Sequence, residues 1–174
     1  MQSQPNILNG LVTMGLITII IVWGVTSLTN EDPLWFLHSF NAQAEEMTLY
    51  WDGESYTVTP QDPGYDALME AFADAVSSPA GFEWEVAFSE AGIAQYRERF
   101  RLLEVRFAEP IQVHTRHPFL PADTYLIPLN ETHARWRRVF SFPGRLPYTS
   151  GPISMSPTAF DALVEAAESV VPAQ

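Results

Sequence analysis

From Ile7 to Leu28 the chain runs for 22 residues without one charged side chain. At about 1.5 Å per residue, a helix of that length reaches ~33 Å, enough to cross a hydrocarbon core of roughly 30 Å. Lipid offers no hydrogen bonds to a backbone, so a helix is the form this stretch is driven to. Its polar members are Asn9 and the mild Thr13, Thr18, Thr26 and Ser27, whose hydroxyls a helix can satisfy through its own carbonyls. Gly10, Gly15 and Gly24 scatter around the helix, and no G-x-x-x-G occurs, so a tight self-dimer through this segment is not expected.

A cleaved leader and a retained anchor differ in their flanks. A leader carries Lys or Arg before a shorter apolar core and a small-x-small site soon after it. Here "MQSQPN" has no basic side chain, the apolar run is long, and the nearest A-x-A, Ala42-Gln43-Ala44, lies well beyond it. The expectation is a retained anchor over 7–28 behind a short tail, 1–6. No Lys or Arg sits near either end to fix its direction. The first base is Arg97, so nothing near the exit holds the following domain inside. An N-terminus in the cytoplasm and a domain on the extracytoplasmic, periplasmic side follow as expectations.

Residues 29–44 form an interfacial segment or linker. "TNEDPLWFLHSF" suggests a short helix capped by Thr29 or Asn30, with acids in its first turn and Pro33 inside it. Trp35, Phe36 and Phe40 beside a membrane span point to the headgroup layer, or to burial against the domain.

Residues 45–174 are enough for one domain with its own core. The chain has no cysteine, which excludes a disulfide, a thiolate metal site, a c-type haem attachment and an iron–sulfur cluster held by this chain. The net charge is −12 and all nine basic residues are Arg, every one between Arg97 and Arg145. Such an acidic chain is a poor partner for nucleic acid, which binds clustered cations. Either the arginines pair with the acidic N-terminal half inside the fold, or some form a docking patch. Arg135, Trp136, Arg137 and Arg138 in "HARWRRVF" are the candidates for the second reading.

The local patterns alternate between the two periods. "MTLYWDGESYTVTP" reads as a hairpin with Asp52-Gly53 in a type I′ turn. A helix follows, capped by Asp62 with Pro63 at its first position, burying Tyr65, Leu68, Met69, Phe72, Ala75 and Val76. "FEWEVAF" alternates as a strand; Ser89-Glu90 opens a second helix with Ile93, Tyr96 and Phe100 on one stripe. "LLEVRF" and "IQVHT" look like two strands joined by "AEP", followed by "DTYLIPL" and "WRRVFSF". Ser156-Pro157 starts a last helix with Phe160, Leu163, Val164, Ala167 and Val171 inward. The order predicts an α+β domain: a mainly antiparallel sheet of about five to seven strands, with about three helices packed on one face.

Chemistry is harder to find. His114 and His117 would face one metal on a helix, but a strand puts that spacing on opposite faces; His133 and Asp123 would have to complete the site. Glu83 and Glu85 share a strand face, as a solvated edge does. G-x-S-x-G, the P-loop, G-x-G-x-x-G and H-E-x-x-H are absent. No catalytic, cofactor or metal residue is assigned. The expectation is a non-catalytic, single-pass accessory subunit of a multi-subunit membrane complex, by analogy a bacterial respiratory or photosynthetic electron-transfer assembly. Its partners would be other membrane-protein subunits and the lipid bilayer. The alternative is a membrane-tethered extracytoplasmic module that binds or senses a ligand.

Overall fold

The computed structural model describes residues 7–37, 40–77, 79–82, 88–115, 117, 119–130, 135, 137–142 and 152–172. Helix α1, Ile7–Asn30, carries the apolar run on past Leu28 and stands clear of the domain over nearly all its length. It is long and apolar enough to cross a membrane. Thr13, Thr18 and Thr29 each donate to the carbonyl four residues back, at 2.8, 2.9 and 2.9 Å. The short helix expected from Thr29 or Asn30 does not form. Asn30 ends α1, and residues 33–36 make a turn closed by Leu37 N–H on the Leu34 carbonyl, 2.8 Å.

Among the described residues the domain holds one seven-stranded antiparallel sheet. Its strands are β1 (Glu46–Trp51), β2 (Glu54–Val58), β3 (Gly81–Phe82), β4 (Leu102–Ile111), β5 (Ala122–Pro128), β6 (Arg138–Phe142) and β7 (Ile153–Ser154), in the order β2-β1-β4-β5-β6-β7-β3. Asp52 and Gly53 have φ of 51° and 94°, as the type I′ hairpin requires, and put Tyr50 opposite Ser55. Strand β4 replaces the two strands expected from "LLEVRF" and "IQVHT". "AEP" makes no turn here, and the chain runs on through a register shift between Arg106 and Ile111. Pro110, which has no N–H to give the ladder, falls inside that irregular stretch.

Helices α2 (Tyr65–Ser77) and α4 (Pro157–Val170) pack together over one sheet face. Leu68, Phe72, Leu163 and Ala167 there meet Met47, Leu49, Leu103, Val105, Tyr125 and Ile127. Helix α3 (Glu90–Arg99) covers part of the opposite face, where Ile93 and Tyr96 meet Leu102, Leu126 and Phe140. The helices therefore flank the sheet on both sides, not on one. The alternation of neighbours such as Leu102 and Leu103, both fully buried but in different clusters, is the cause.

Ser89 and Ser156 cap α3 and α4 as expected, accepting from the N–H of Gly92 and Ala159 at 3.2 Å each. Asp62 does not cap α2. Its carboxylate takes the backbone N–H and the hydroxyl of Thr59, at 2.9 and 2.7 Å, and α2 begins only after Gly64 at φ +87°. Most of the strand expected over 82–88, together with Glu83, Glu85 and His133, lies outside the described residues.

Candidate functional site: the joint between helix and domain

Where α1 ends, the chain does not pass into a loose tether. Glu31 takes the left-handed conformation, φ 53°, and Asp32 N–H returns to the Ser27 carbonyl at 3.1 Å. That bond spans five residues and is the outer bond of a Schellman ending, with Glu31 where glycine usually sits. The reversal aims the Asp32 side chain inward, where it is 2% exposed. Its Oδ1 accepts the N–H of Leu34 at 2.8 Å. His114 Nδ1 lies 3.1 Å from both carboxylate oxygens. A carboxylate only accepts, so Nδ1 carries the hydrogen in this contact. A second tie lies one turn back, where Trp23 Nε1 donates to the Pro33 carbonyl at 3.1 Å.

His114 belongs to the 112–121 connection between β4 and β5, which folds back against the helix end. Gln112 braces that loop internally, donating to the carbonyls of Val113 and Phe119 at 3.1 and 3.0 Å. Between the loop and the helix lies a cavity of about 170 Å³, lined by Thr29, Asn30, Glu31, Gln112, Phe119 and Leu120, among others. An apolar groove of about 470 Å³ runs between Thr18, Ile19, Val22 and Trp23 of α1 and the rings of Trp35 and Phe36.

The candidate docking residues separate. Trp35 and Phe36 stay at the joint, edge to face at 5.9 Å. Phe40 is partly buried and packs against the core, its ring edge-on to Phe72 at 5.5 Å and Phe107 at 5.7 Å. The "HARWRRVF" arginines do not form one surface. Arg135 is exposed; Arg137 donates through Nε to the Met155 carbonyl at 3.2 Å; Arg138 is buried on β6 opposite Ser154. Trp136 lies outside the described residues.

Other arginines pair as the charge distribution suggests. Arg101 reaches Asp52 at 2.9 Å and Arg106 reaches Glu46 at 2.7 Å, joining the basic middle to the acidic N-terminal half. Arg97 pairs closer in sequence, with Glu104 at 2.6 Å, and lies over the Tyr50 ring at 5.5 Å. Burial first, and then the Glu104 charge, raise the Tyr50 hydroxyl above its usual range. His117 does not join His114. Its ring stacks on Phe82 at 5.4 Å, and no group of three metal-binding side chains occurs among the described residues.

Local sequence signals missed the Asp32–His114 contact, because the two residues stand 82 positions apart. The only hint was an acid directly after an apolar span.

No family model and no curated protein matches this chain. Among solved structures it is similar to YycH from Bacillus subtilis, at 15% identity and a TM-score of 0.47. The match covers 79% of this chain and 39% of that one, so the chain spans well under two thirds of that protein's length.

Proposed function

We propose that this chain is a single-pass membrane protein whose α+β domain is a non-catalytic extracytoplasmic binding module, acting on a partner in or at the same membrane. The observation that carries the reading is the joint. A flexible tether is built from Gly- and Ser-rich chain. Here the helix end is closed by Asp32, and Asp32 is held by a side chain of the sheet's own β4–β5 connection. A domain fixed this way turns and tilts with its helix, so a partner bound to one is felt by the other.

This favours a tethered regulator or sensor over a passive subunit. The expected membership of an electron-transfer assembly gains no support from any described residue. The test is purification of the full chain in mild detergent followed by native electrophoresis. A membrane partner that comigrates, and is lost when His114→Ala frees the domain from the helix, supports the proposal. A chain that migrates alone overturns it. Sidedness is read from an impermeant maleimide on Ser55→Cys in intact cells, with Ser3→Cys as the protected control.

A further inference from the structure

Outside α1, the large apolar side chains left most open to solvent are Leu34, Phe36, Leu37 and Leu120, each between 41% and 46% exposed among the described residues. Three of them follow the helix directly. Leu120 is far away in sequence, yet the β4–β5 loop carries it to the same place, on the cavity it shares with Thr29, Asn30 and Glu31. The far end of the sheet differs. The Asp52-Gly53 hairpin lies beside Leu102, at the other end of β4, and carries polar and charged side chains. At about 3.3 Å per residue, the ten residues of β4 put roughly 30 Å between the two ends.

Ser27 Oγ, Asn30 Nδ2 and Trp35 Nε1 are enclosed by the chain and closed to an outside ligand, so what this end of the domain offers is its apolar side chains. Charge does not point to anionic lipid, since the charged residue that shares the cavity with Leu120 is the acidic Glu31.

We propose that Leu34, Phe36, Leu37 and Leu120 form one phospholipid-contacting foot, on which the domain stands on the bilayer at two points, the helix exit and Leu120 of the β4–β5 loop. The acyl region takes the four apolar side chains. The surface is continuous with the span of α1, and that continuity selects lipid as the occupant. The proposal rests on the membrane reading of α1 and adds the loop contact to it.

The full chain has no native cysteine, so single sites can carry an environment-sensitive fluorophore. Leu120→Cys, Leu37→Cys and, as the distal control, Ser55→Cys are labelled and reconstituted into phosphatidylcholine vesicles containing shallow doxyl-labelled lipid. Alkaline carbonate extraction is run first on the unlabelled chain. If the chain is extracted, the membrane reading itself fails. If it is retained, labels at 120 and 37 should be quenched several-fold more by the doxyl lipid than the label at 55, and less by iodide. A label at 120 open to iodide like that at 55 overturns the foot. So does one shielded from both quenchers, which would show a protein surface covering it.

Discussion

Asp32 and His114, 82 positions apart in the chain, meet with Nδ1 3.1 Å from both carboxylate oxygens and close the end of the apolar helix onto the sheet. The contact is asymmetric. The Asp32 side chain is 3% exposed and the His114 side chain 26%. Removing the histidine strands an almost fully buried carboxylate, whereas removing the aspartate also uncaps Leu34. A buried charged group left short of a hydrogen bond costs about 2 kcal/mol.

His114→Ala should therefore loosen the joint by about that amount without unfolding the sheet. Spin labels at Leu28→Cys and Ser55→Cys would report it as a broadened distance distribution. His114→Asn places an amide nitrogen where Nδ1 sits, and should keep the distribution narrow. Equal widths in the wild type and both variants would show that the pair does not hold the domain.

Glu31 gives a prediction of the opposite sign. A side chain at φ 53° costs roughly 1–2 kcal/mol relative to right-handed backbone, against about 0.5–1 kcal/mol for the extra freedom glycine has in the unfolded chain. Glu31→Gly should stabilise the joint by about 0.5 kcal/mol, and Glu31→Val, branched at Cβ, should weaken it. Thermal melts of the full chain in detergent would check both. A destabilised glycine variant would mean that the Glu31 carboxylate makes a contact worth more than the strain.

The parts of this fold that were legible in the sequence are those decided within a few residues. Asp52-Gly53 dictated a left-handed pair, and Ser156-Pro157 dictated a cap and a first turn. The alternation of Met47, Leu49 and Trp51 fixed which side of β1 faces the core. What the sequence hid depends on meetings between distant segments. Nothing near Phe40 says whether its ring lies in the headgroup layer or against Phe72 and Phe107. Nothing near Arg138 says that it is buried opposite Ser154. Asp62 shows a second kind of failure. It has the composition of a helix cap, but the Thr59 hydroxyl and N–H compete for the same carboxylate and win, so α2 starts later.

That competition sets a pH dependence. The side-chain and backbone bonds from Thr59 hold the Asp62 carboxyl below its ordinary value of 3.8. A group whose folded value is depressed contributes stability that is fully present above the unfolded value and is lost as the pH falls through the folded one. The stability difference between the wild type and Asp62→Asn should thus be constant near neutrality and shrink below pH 3.8. Denaturant titrations at neutral and acid pH would measure it. A difference that stays constant down to the lowest pH would show that the Thr59 bonds do not depend on the ionised form.

Phe40 and Phe36 separate core from surface within one short segment. Both are aromatic, both follow the span, and both are candidates for docking on sequence grounds. The structure gives Phe40 two edge-to-face partners, at 5.5 and 5.7 Å, in a cluster that continues through Phe72 to Tyr125. Phe36 has the Trp35 ring on one side and is otherwise 46% exposed. Truncating a packed phenylalanine costs about 3 kcal/mol, through lost transfer energy and the cavity left behind. Phe40→Ala should therefore lower the melting temperature by several degrees whether or not lipid is present. Phe36→Ala should leave the melt of detergent-solubilised protein within about 0.5 kcal/mol of wild type, as surface changes usually do. Its effect belongs at the membrane, as weaker doxyl-lipid quenching of the label on Leu37→Cys. If Phe40→Ala melts like wild type, the segment does not pack against the core, and Phe40 returns to the surface as a docking residue.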